Sequence, residues 1–288
     1  IGGIGMSGLA QIMNNMGFVI QGSDLNQNKN TERLIKSGMK VYVGHHKKNL
    51  KKATMVVISS AIKRDNKELK AAKHKKLPVF KRGEMLANIV ALKKNIVITG
   101  SHGKTTTTSL VANILVEAGL DPTVINGGII NSLKNTAQLG KGEWAVIESD
   151  ESDGSFLKLP ITYSIVTNVD REHLDFYGNF EKLKKSFSTF IEKTPSFGKS
   201  LICIDDNNLK SLLFKCNTSN FLTYGFDKNS NYQIINVKKK INYSIFDLKI
   251  KITKDKIYKI KNIKVNLLGD HNICNATASI AIALNLGI

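Results

Sequence analysis

The sequence predicts an α/β protein with two parallel-sheet domains, the first of them Rossmann-like, and a small antiparallel β extension in the second. Three observations support this class. Short apolar runs rich in β-branched residues alternate with helical patterns, which favours a parallel sheet. Two of the connections are rich in glycine. A late segment, residues 232–266, alternates apolar and polar residues, as antiparallel strands with one wet face do.

The first domain is predicted to cover residues 1–92. Its opening motif G-x-G-x-x-G, at Gly3, Gly5 and Gly8, precedes a helix expected over about residues 7–16. A strand then ends near Asp24, about 20 residues after the glycines, as in a Rossmann nucleotide site. The motif alone does not identify the nucleotide. Later strands are predicted in KVYVGHH, TMVVISSAI (a buried strand) and LPVFKR, and helices in TERLIKSG and NKELKAAKHKK.

The second glycine-rich connection lies in ITGSHGKTTTTSL. Residues 96–99 form a short β-branched run that predicts a buried strand. Gly100 and Gly103 allow a tight turn, and residues 105–118 carry a helical pattern with Gly119 as its stop. Strand, glycine turn and helix together are the setting of a phosphate-binding loop, because backbone N–H groups at a helix N-terminus favour an anion.

Two side chains of this loop suit nucleotide chemistry. Lys104 would reach the outer phosphates, and the Thr105 hydroxyl would bind magnesium. The general P-loop pattern has four residues between its glycines, whereas this loop has only Ser101 and His102. The alternative is a plain glycine turn before an ordinary helix. We predict that residues 93–288 form a P-loop α/β ATPase domain.

Acidic residues follow the next apolar run, in EWAVIESDESD. Glu148, Asp150, Glu151 and Asp153 stand where a P-loop enzyme places its magnesium carboxylate. Glu148 is favoured because it follows the apolar run directly, and a solvated acidic loop is the alternative. His173 follows a further strand, in a polar loop. A histidine at the C-terminal end of a strand beside the P-loop strand is a ligand candidate, although most loop histidines are simply surface residues.

The charge balance argues against nucleic-acid binding. The net charge of +19 comes from 42 lysines and arginines against 23 acidic residues. Only four of the basic residues are arginine, namely Arg33, Arg64, Arg82 and Arg171. A protein that reads bases or clamps phosphates would use more arginine. We expect a solvated lysine surface, with an anionic partner such as a small nucleotide as the alternative.

Three cysteines, Cys203, Cys216 and Cys274, show no metal-ligand spacing, and such sparse use is typical of a reducing cytosol. No apolar run has the length of a membrane span, and no signal peptide is visible, so we expect a cytoplasmic protein without membrane insertion. The chain begins inside a glycine motif and ends in or just after a helical pattern. We therefore expect a piece of a longer protein.

Six motifs, taken in order, resemble those of the Mur ligases of peptidoglycan synthesis. They are GGIGMSGLA with GSD, SSAI, GSHGKTTTT, ESDESDGSFLKL, TNVDREHLDFY and GDHNICNATA. The resemblance implies a UDP-substrate domain, an ATP domain and a third domain that is absent here, so the chain alone is expected to be inactive. It also implies that the shortened phosphate loop is normal. Ser101, where threonine is usual, and Glu172, where aspartate is usual, depart from the pattern.

The resemblance implies roles for individual residues. Those implied as catalytic are Lys104, Glu148 and His173. Those implied to bind ATP are Gly100, Ser101, His102, Gly103, Lys104, Thr105, Thr106, Asn272 and Asn275. Those implied to bind the UDP-substrate are Gly3, Gly5, Met6, Ser7, Asp24, Ser59 and Ser60. One magnesium ion is expected at Thr105 and Glu148, and a second at His173, with or without Glu148. Helix capping is the alternative for the two asparagines.

The implied activity is the ATP-dependent joining of L-alanine to the lactyl carboxylate of UDP-N-acetylmuramate through an acyl phosphate. The alternative is a family member that attaches a recycled murein tripeptide, and DESDGSF favours L-alanine. Two other classes of enzyme would each account for only one feature of the sequence. A nicotinamide dehydrogenase would leave Lys104 and Glu148 without a role, and a nucleic-acid-dependent NTPase would show steep salt dependence. The chain alone could also be a binding module without catalysis.

Overall fold

A computed structural model describes residues 1–130, 135–253 and 256–288. In the N-terminal part, β1 pairs with β2 and β3 with β4, each pair parallel and each forming its own two-stranded sheet. The α/β class is therefore confirmed, but these strands do not join one continuous sheet. The elements are α1 (Ile4–Asn15), β1 (Gln21–Asp24), α2 (Lys29–Lys36), β2 (Lys40–Val43), β3 (Val56–Ile58), α3 (Lys67–His74), β4 (Val79–Lys81) and α4 (Arg82–Val90).

Two local expectations for this part were wrong, and one helix was not predicted. Helix α1 begins at Ile4 rather than near Ser7, because Gly3 already has the extended backbone of an N-cap, with φ −64° and ψ 149°. Strand β3 is half-buried and only three residues long, not a buried strand. Helix α4 was not predicted, although its buried residues Met85 and Val90 anchor it to the core.

The second part is built on one ten-stranded sheet with the order β14-β13-β12-β11-β10-β9-β5-β8-β6-β7. Its strands are β5 (Lys94–Thr99), β6 (Thr123–Ile130), β7 (Asn135–Gln138), β8 (Trp144–Glu148), β9 (Tyr163–Val166), β10 (Ser200–Cys203), β11 (Phe221–Gly225), β12 (Tyr232–Lys239), β13 (Ser244–Lys251) and β14 (Ile257–Val265). Its helices are α5 (Lys104–Glu117), α6 (Leu174–Tyr177), α7 (Phe180–Glu192), α8 (Asn207–Leu213) and α9 (Asp270–Asn285).

Strand β5 lies between β8 and β9, and all three run parallel. Its residues 95–99 are buried, as their β-branched composition predicts. Parallel strands end at the same edge of a sheet, so the segments after β5, β8 and β9 meet there. The predicted antiparallel extension, strands β12 to β14, is confirmed. It continues the main sheet, because β12 pairs in parallel with β11 at Tyr224 and Tyr232.

One cluster of buried apolar side chains crosses the expected boundary at residue 92. Ile12 of α1 and Val90 of α4 belong to the same cluster as Ile96 of β5, and all three are fully buried. Phe156, which lies in a short 3₁₀ helix, belongs to the same cluster. The centre of its ring is 5.2 Å from the centre of the Phe190 ring. Within the described part of the chain, no helix combines the length and the apolar character that a membrane crossing requires.

Replacing Phe156 by alanine tests the packing of this core. Phe156 is fully buried, and its removal leaves a cavity, so we expect the free energy of unfolding to fall by about 3–5 kcal/mol. The matched control is Phe214→Ala, since Phe214 is 87% exposed and its loss should change stability by less than about 0.5 kcal/mol. Urea unfolding measures both variants. Equal losses would contradict the packing described.

Candidate active site

The loop between β5 and α5 holds its shape through two glycines. Gly100 has φ +131° and Gly103 has φ +83°, a region that side chains rarely tolerate. A Cβ atom placed on Gly100 would lie 2.2 Å from Thr167 Oγ1, and one placed on Gly103 would lie 2.8 Å from Asn275 Oδ1. Neighbouring chain therefore packs against the loop from both sides, and only glycine fits at these positions.

Hydrogen bonds join this loop to the segment that follows β9. Asn168 accepts from both loop amides, the Ser101 N–H at 3.1 Å through its carbonyl and the His102 N–H at 2.7 Å through its side chain. The His102 carbonyl accepts from the Thr167 hydroxyl at 2.6 Å. The Ser101 hydroxyl accepts from the Asp170 N–H at 2.8 Å. The loop after β9 thus fixes the path of the phosphate loop.

Lys104, the first residue of α5, is held by its own loop and by a buried acid. Its Nζ donates to the carbonyls of Gly100 and of Ser101, the latter at 3.1 Å. The same ammonium lies 3.0 Å from Glu151 Oε2. Burial raises the pKa of the Glu151 carboxyl, and the Lys104 charge opposes this shift only in part. The contact with Glu151 therefore holds the Lys104 charge at the N-terminus of α5, the end of a helix that favours an anion.

Glu151 also belongs to a group that could hold a metal ion. One ligand atom from each of Asp150, Glu151 and His173 lies within 4.8 Å of the others. His173 caps α6 in the left-handed conformation, with φ +56°, and its Nε2 is 3.8 Å from Glu151 Oε1. Carboxylate oxygens are the ligands that magnesium prefers. Glu151 and Asp150 are thus the acids that this group places beside His173.

Glu148 and Thr105 lie at the same edge of the sheet. Glu148 ends β8 opposite Ile98 of β5, two residues before Gly100. Thr105 is the second residue of α5 and is exposed, and Thr106 beside it is half-buried. The two residues predicted to hold the first magnesium ion therefore both lie beside the phosphate loop.

Helix α9 brings Asn275 to the loop, with Asn272 hydrogen-bonded beside it. Its N-cap is Gly269, without a side-chain capping bond, so neither Asn272 nor Asn275 acts as the cap. Asn272 instead donates to the Leu268 carbonyl at 2.8 Å and accepts from the Asn275 amide at 3.2 Å. Asn275 is buried, and its Oδ1 faces Gly103.

His102 is exposed and faces the acids of the neighbouring loop. Its Nε2 lies 3.2 Å from Asp170 Oδ2 and 3.8 Å from Glu172 Oε1. These contacts hold the ring beside the acids that follow β9.

The N-terminal glycine motif lies at the N-terminus of α1. Helix α1 begins directly after Gly3, and a Cβ atom placed on Gly5 would lie 3.2 Å from Arg82 Nη1. Asp24, at the end of β1, accepts from the Gly2 N–H at 2.7 Å. Burial works to raise the pKa of Asp24, whereas the hydrogen bond from the Gly2 amide works to lower it.

Four further residues were predicted for this site, two in α1 and two in the turn after β3. Met6 is half-buried, and Ser7 is buried within α1, where its hydroxyl donates to the Ile4 carbonyl at 2.9 Å. Ser59 and Ser60 lie in the turn after β3. Strand β4, the partner of β3, leads directly into Arg82, so the serines and the arginine follow neighbouring strands.

Sequence reasoning missed two features of these sites. Glu151 was one of four acidic candidates, but nothing in the sequence singled it out as the partner of Lys104. Arg82 was noted only as one of the few arginines, although its position directly after a strand was a usable signal. Tyr177 helps to fix the backbone at Glu151, because its hydroxyl donates to the Glu151 carbonyl.

Comparisons with known proteins agree with this geometry. The model of the Mur ligase middle domain matches residues 98–283, and that of the Mur ligase family catalytic domain matches residues 1–94. The UDP-N-acetylmuramate–L-alanine ligase of Pelagibacter ubique (strain HTCC1062) is 60% identical over 288 residues, which are 100% of this chain and 62% of that protein. This chain therefore spans less than two thirds of that relative's length.

Two solved structures are similar over the whole chain. The UDP-N-acetylmuramate-alanine ligase from Thermotoga maritima has a TM-score of 0.85 at 28% identity, with 64% of it covered. The UDP-N-acetylmuramate:L-alanyl-gamma-D-glutamyl-meso-diaminopimelate ligase from Neisseria meningitides has a TM-score of 0.86 at 25% identity, with 92% of it covered. The family models together match nearly all of the sequence, and the chain belongs to the Mur ligase family.

Proposed function

We propose that this chain carries the substrate and ATP sites of a ligase that joins L-alanine to the lactyl carboxylate of UDP-N-acetylmuramate. The observation that carries the proposal is the 60% identity, over the whole chain, to a protein named for that reaction. The fold does not choose between L-alanine and a peptide, because solved ligases of both kinds match with TM-scores of 0.85 and 0.86. The sequence identity therefore favours L-alanine over the tripeptide alternative.

ATP fits the loop between β5 and α5. The glycine positions leave no room for side chains, the N-terminus of α5 favours negative charge, and Lys104 supplies a cation. Gly100, Ser101, His102 and Gly103 would form the loop around the phosphates. The Ser101 and His102 amides already donate to Asn168, so the amides that meet the phosphates would come from Gly103 and the first turn of α5. Thr105 and Thr106 would contact the phosphates from that turn. Asn272 and Asn275 would contact the adenine, since Asn275 faces Gly103 of this loop and Asn272 is hydrogen-bonded to Asn275.

Magnesium fits the acids at this edge. Thr105 and Glu148 would hold one ion, and His173 with Glu151 and Asp150 a second, since their ligand atoms already lie within 4.8 Å of one another. Bound magnesium would neutralise charge on the phosphate and carboxylate oxygens. The proposal thus adds Glu151 and Asp150 to the second site, where His173 was expected with or without Glu148.

The reaction requires two anions to meet. A carboxylate is a poor electrophile, and transfer of the γ-phosphoryl group to it gives an acyl phosphate with a good leaving group. The amine of L-alanine then attacks the acyl carbon, and phosphate departs. Lys104 would stabilise the phosphoryl group during transfer, after exchanging its contact with Glu151 for the nucleotide. Catalysis of this kind relies on positioning and charge neutralisation.

The UDP diphosphate fits the N-terminal glycine motif. Gly3, Gly5, Met6 and Ser7 would present the N-terminus of α1 to the diphosphate, and the Arg82 guanidinium beside Gly5 would add a cation. Asp24, Ser59 and Ser60 would complete this site. We keep the division into a UDP-substrate domain, residues 1–92, and an ATP domain, residues 93–288. Because both nucleotides are cytoplasmic metabolites, we place the reaction in the cytoplasm.

The function can be tested by measuring phosphate release by the protein that the complete coding sequence encodes. ATP and magnesium are supplied, and the other substrates are omitted one at a time. We expect release to need both UDP-N-acetylmuramate and L-alanine. A requirement for a tripeptide in place of L-alanine would support the alternative. Release that does not depend on the UDP-sugar would refute both.

Lys104→Ala in the same complete protein tests the phosphate loop. We expect kcat for ADP formation to fall by at least about 100-fold, because a charge that stabilises the phosphoryl group in flight is lost. Binding of UDP-N-acetylmuramate should be unchanged. The control is Lys240→Ala, at an exposed position of the β extension. Normal turnover by the Lys104 variant would remove this residue from the mechanism.

A double-mutant cycle tests the second magnesium site. His173→Ala and Glu151→Gln should each raise the half-saturating magnesium concentration by about 10-fold or more. The double variant should show less than the product of the two effects, because both residues would hold one ion. Asp175→Asn, an exposed change two residues from His173, is the control. Independent, multiplicative effects would show that the two residues do not share an ion.

A further inference from the structure

Two cysteines and an aspartate converge beside the end of β10. Cys203 is the last residue of β10, Asp205 follows two positions later, and Cys274 lies in the second turn of α9. One ligand atom from each residue lies within 4.8 Å of the others. The spacing of the cysteines along the sequence did not predict this, because the fold brings distant segments together.

The distances suit a tetrahedral metal ion. Cys274 Sγ lies 3.7 Å from Asp205 Oδ2. In a tetrahedral zinc site, with a Zn–S bond of about 2.3 Å and a Zn–O bond of about 2.0 Å, the sulfur and oxygen ligands are about 3.5 Å apart. The observed separation is therefore close to one edge of such a tetrahedron without any rearrangement.

The aspartate is held in place by the backbone. Asp205 Oδ2 accepts from the Phe226 N–H at 2.7 Å, and its Oδ1 accepts from the Asp227 N–H at 2.9 Å. A Cβ atom placed on Gly225 would lie 2.5 Å from Asp205 Oδ2, so only glycine permits this approach. Outer contacts of this kind orient carboxylate ligands in metal sites.

The burial of the three residues gives the site a closed side and an open side. Cys203 is 6% exposed and Cys274 is half-buried, whereas Asp205 is exposed. A cation can enter past Asp205, and solvent can supply a fourth ligand there. Thiolates select soft or borderline cations over magnesium, which separates this group from the acids around His173.

We propose that Cys203, Cys274 and Asp205 form a binding site for a divalent cation of the zinc class, with water as the fourth ligand. Both thiols lose a proton to solvent when the ion binds. The hydrogen bond with Cys203, together with burial, raises the pKa of the Cys274 thiol well above its usual range, so protons compete with the metal. The site lies on the turn of α9 that also carries Asn272 and Asn275.

Cobalt titration of the purified, reduced chain tests the site, with Co²⁺ as a spectroscopic substitute for Zn²⁺. We expect one equivalent of Co²⁺ to produce near-ultraviolet thiolate-to-cobalt absorption, which one equivalent of Zn²⁺ then removes. Cys274→Ser and Asp205→Asn should weaken Zn²⁺ binding by about 100-fold or more, since loss of an outer contact alone costs about 10–100-fold.

The control is Cys216→Ser, because Cys216 lies outside the group, with its Sγ 3.4 Å from Ser188 Oγ. This variant should bind Co²⁺ as the parent chain does. Circular dichroism shows that each variant is folded, and Cys274→Ser is preferred to a change at the more buried Cys203. Absence of thiolate absorption in the parent, or absorption that survives Cys274→Ser in the folded variant, would overturn the proposal.

Discussion

The hydrogen bonds between the phosphate loop and the loop after β9 are the constraint on which the site depends. They fix residues 101 and 102 through Asn168, and they leave space at Gly100 only for a glycine. Because β5 lies between β8 and β9 in a parallel sheet, the acids after β8 and the histidine after β9 reach the same loop. The site therefore follows from the strand order as much as from the loop's own sequence.

The pair formed by Lys104 and Glu151 gives this edge its electrostatic character. Glu151 is 1% exposed, and a buried carboxylate is costly unless a cation lies beside it. Lys104 supplies that cation, and the loop carbonyls accept its remaining hydrogens. A bound nucleotide would compete with Glu151 for the Lys104 ammonium. A metal ion beside His173 would then replace Lys104 as the positive charge next to Glu151. Binding of nucleotide and binding of metal are thus expected to support each other.

Local patterns in the sequence predicted the strand, loop and helix around Lys104, because periodicity and glycine positions determine these within about twenty residues. They also predicted the antiparallel extension. They did not identify Glu151 as the partner of Lys104, since that contact depends on the path of the chain after β8. Helix α4 was missed because it packs mainly against elements distant in sequence, namely α1 and the 3₁₀ helix that carries Phe156. The convergence of Cys203 and Cys274 could not be predicted either, because it requires the position of α9 relative to β10.

A crystal structure of this chain with magnesium and a non-hydrolysable ATP analogue would show directly whether the loop between β5 and α5 binds the phosphates. We expect phosphate oxygens to bind the backbone amides of residues 103–105, because the amides of residues 101 and 102 donate to Asn168. We also expect Lys104 Nζ to leave Glu151 and the loop carbonyls and to contact the phosphates. Phosphates bound elsewhere, or an unchanged contact between Lys104 and Glu151 in the nucleotide complex, would contradict the proposed ATP site.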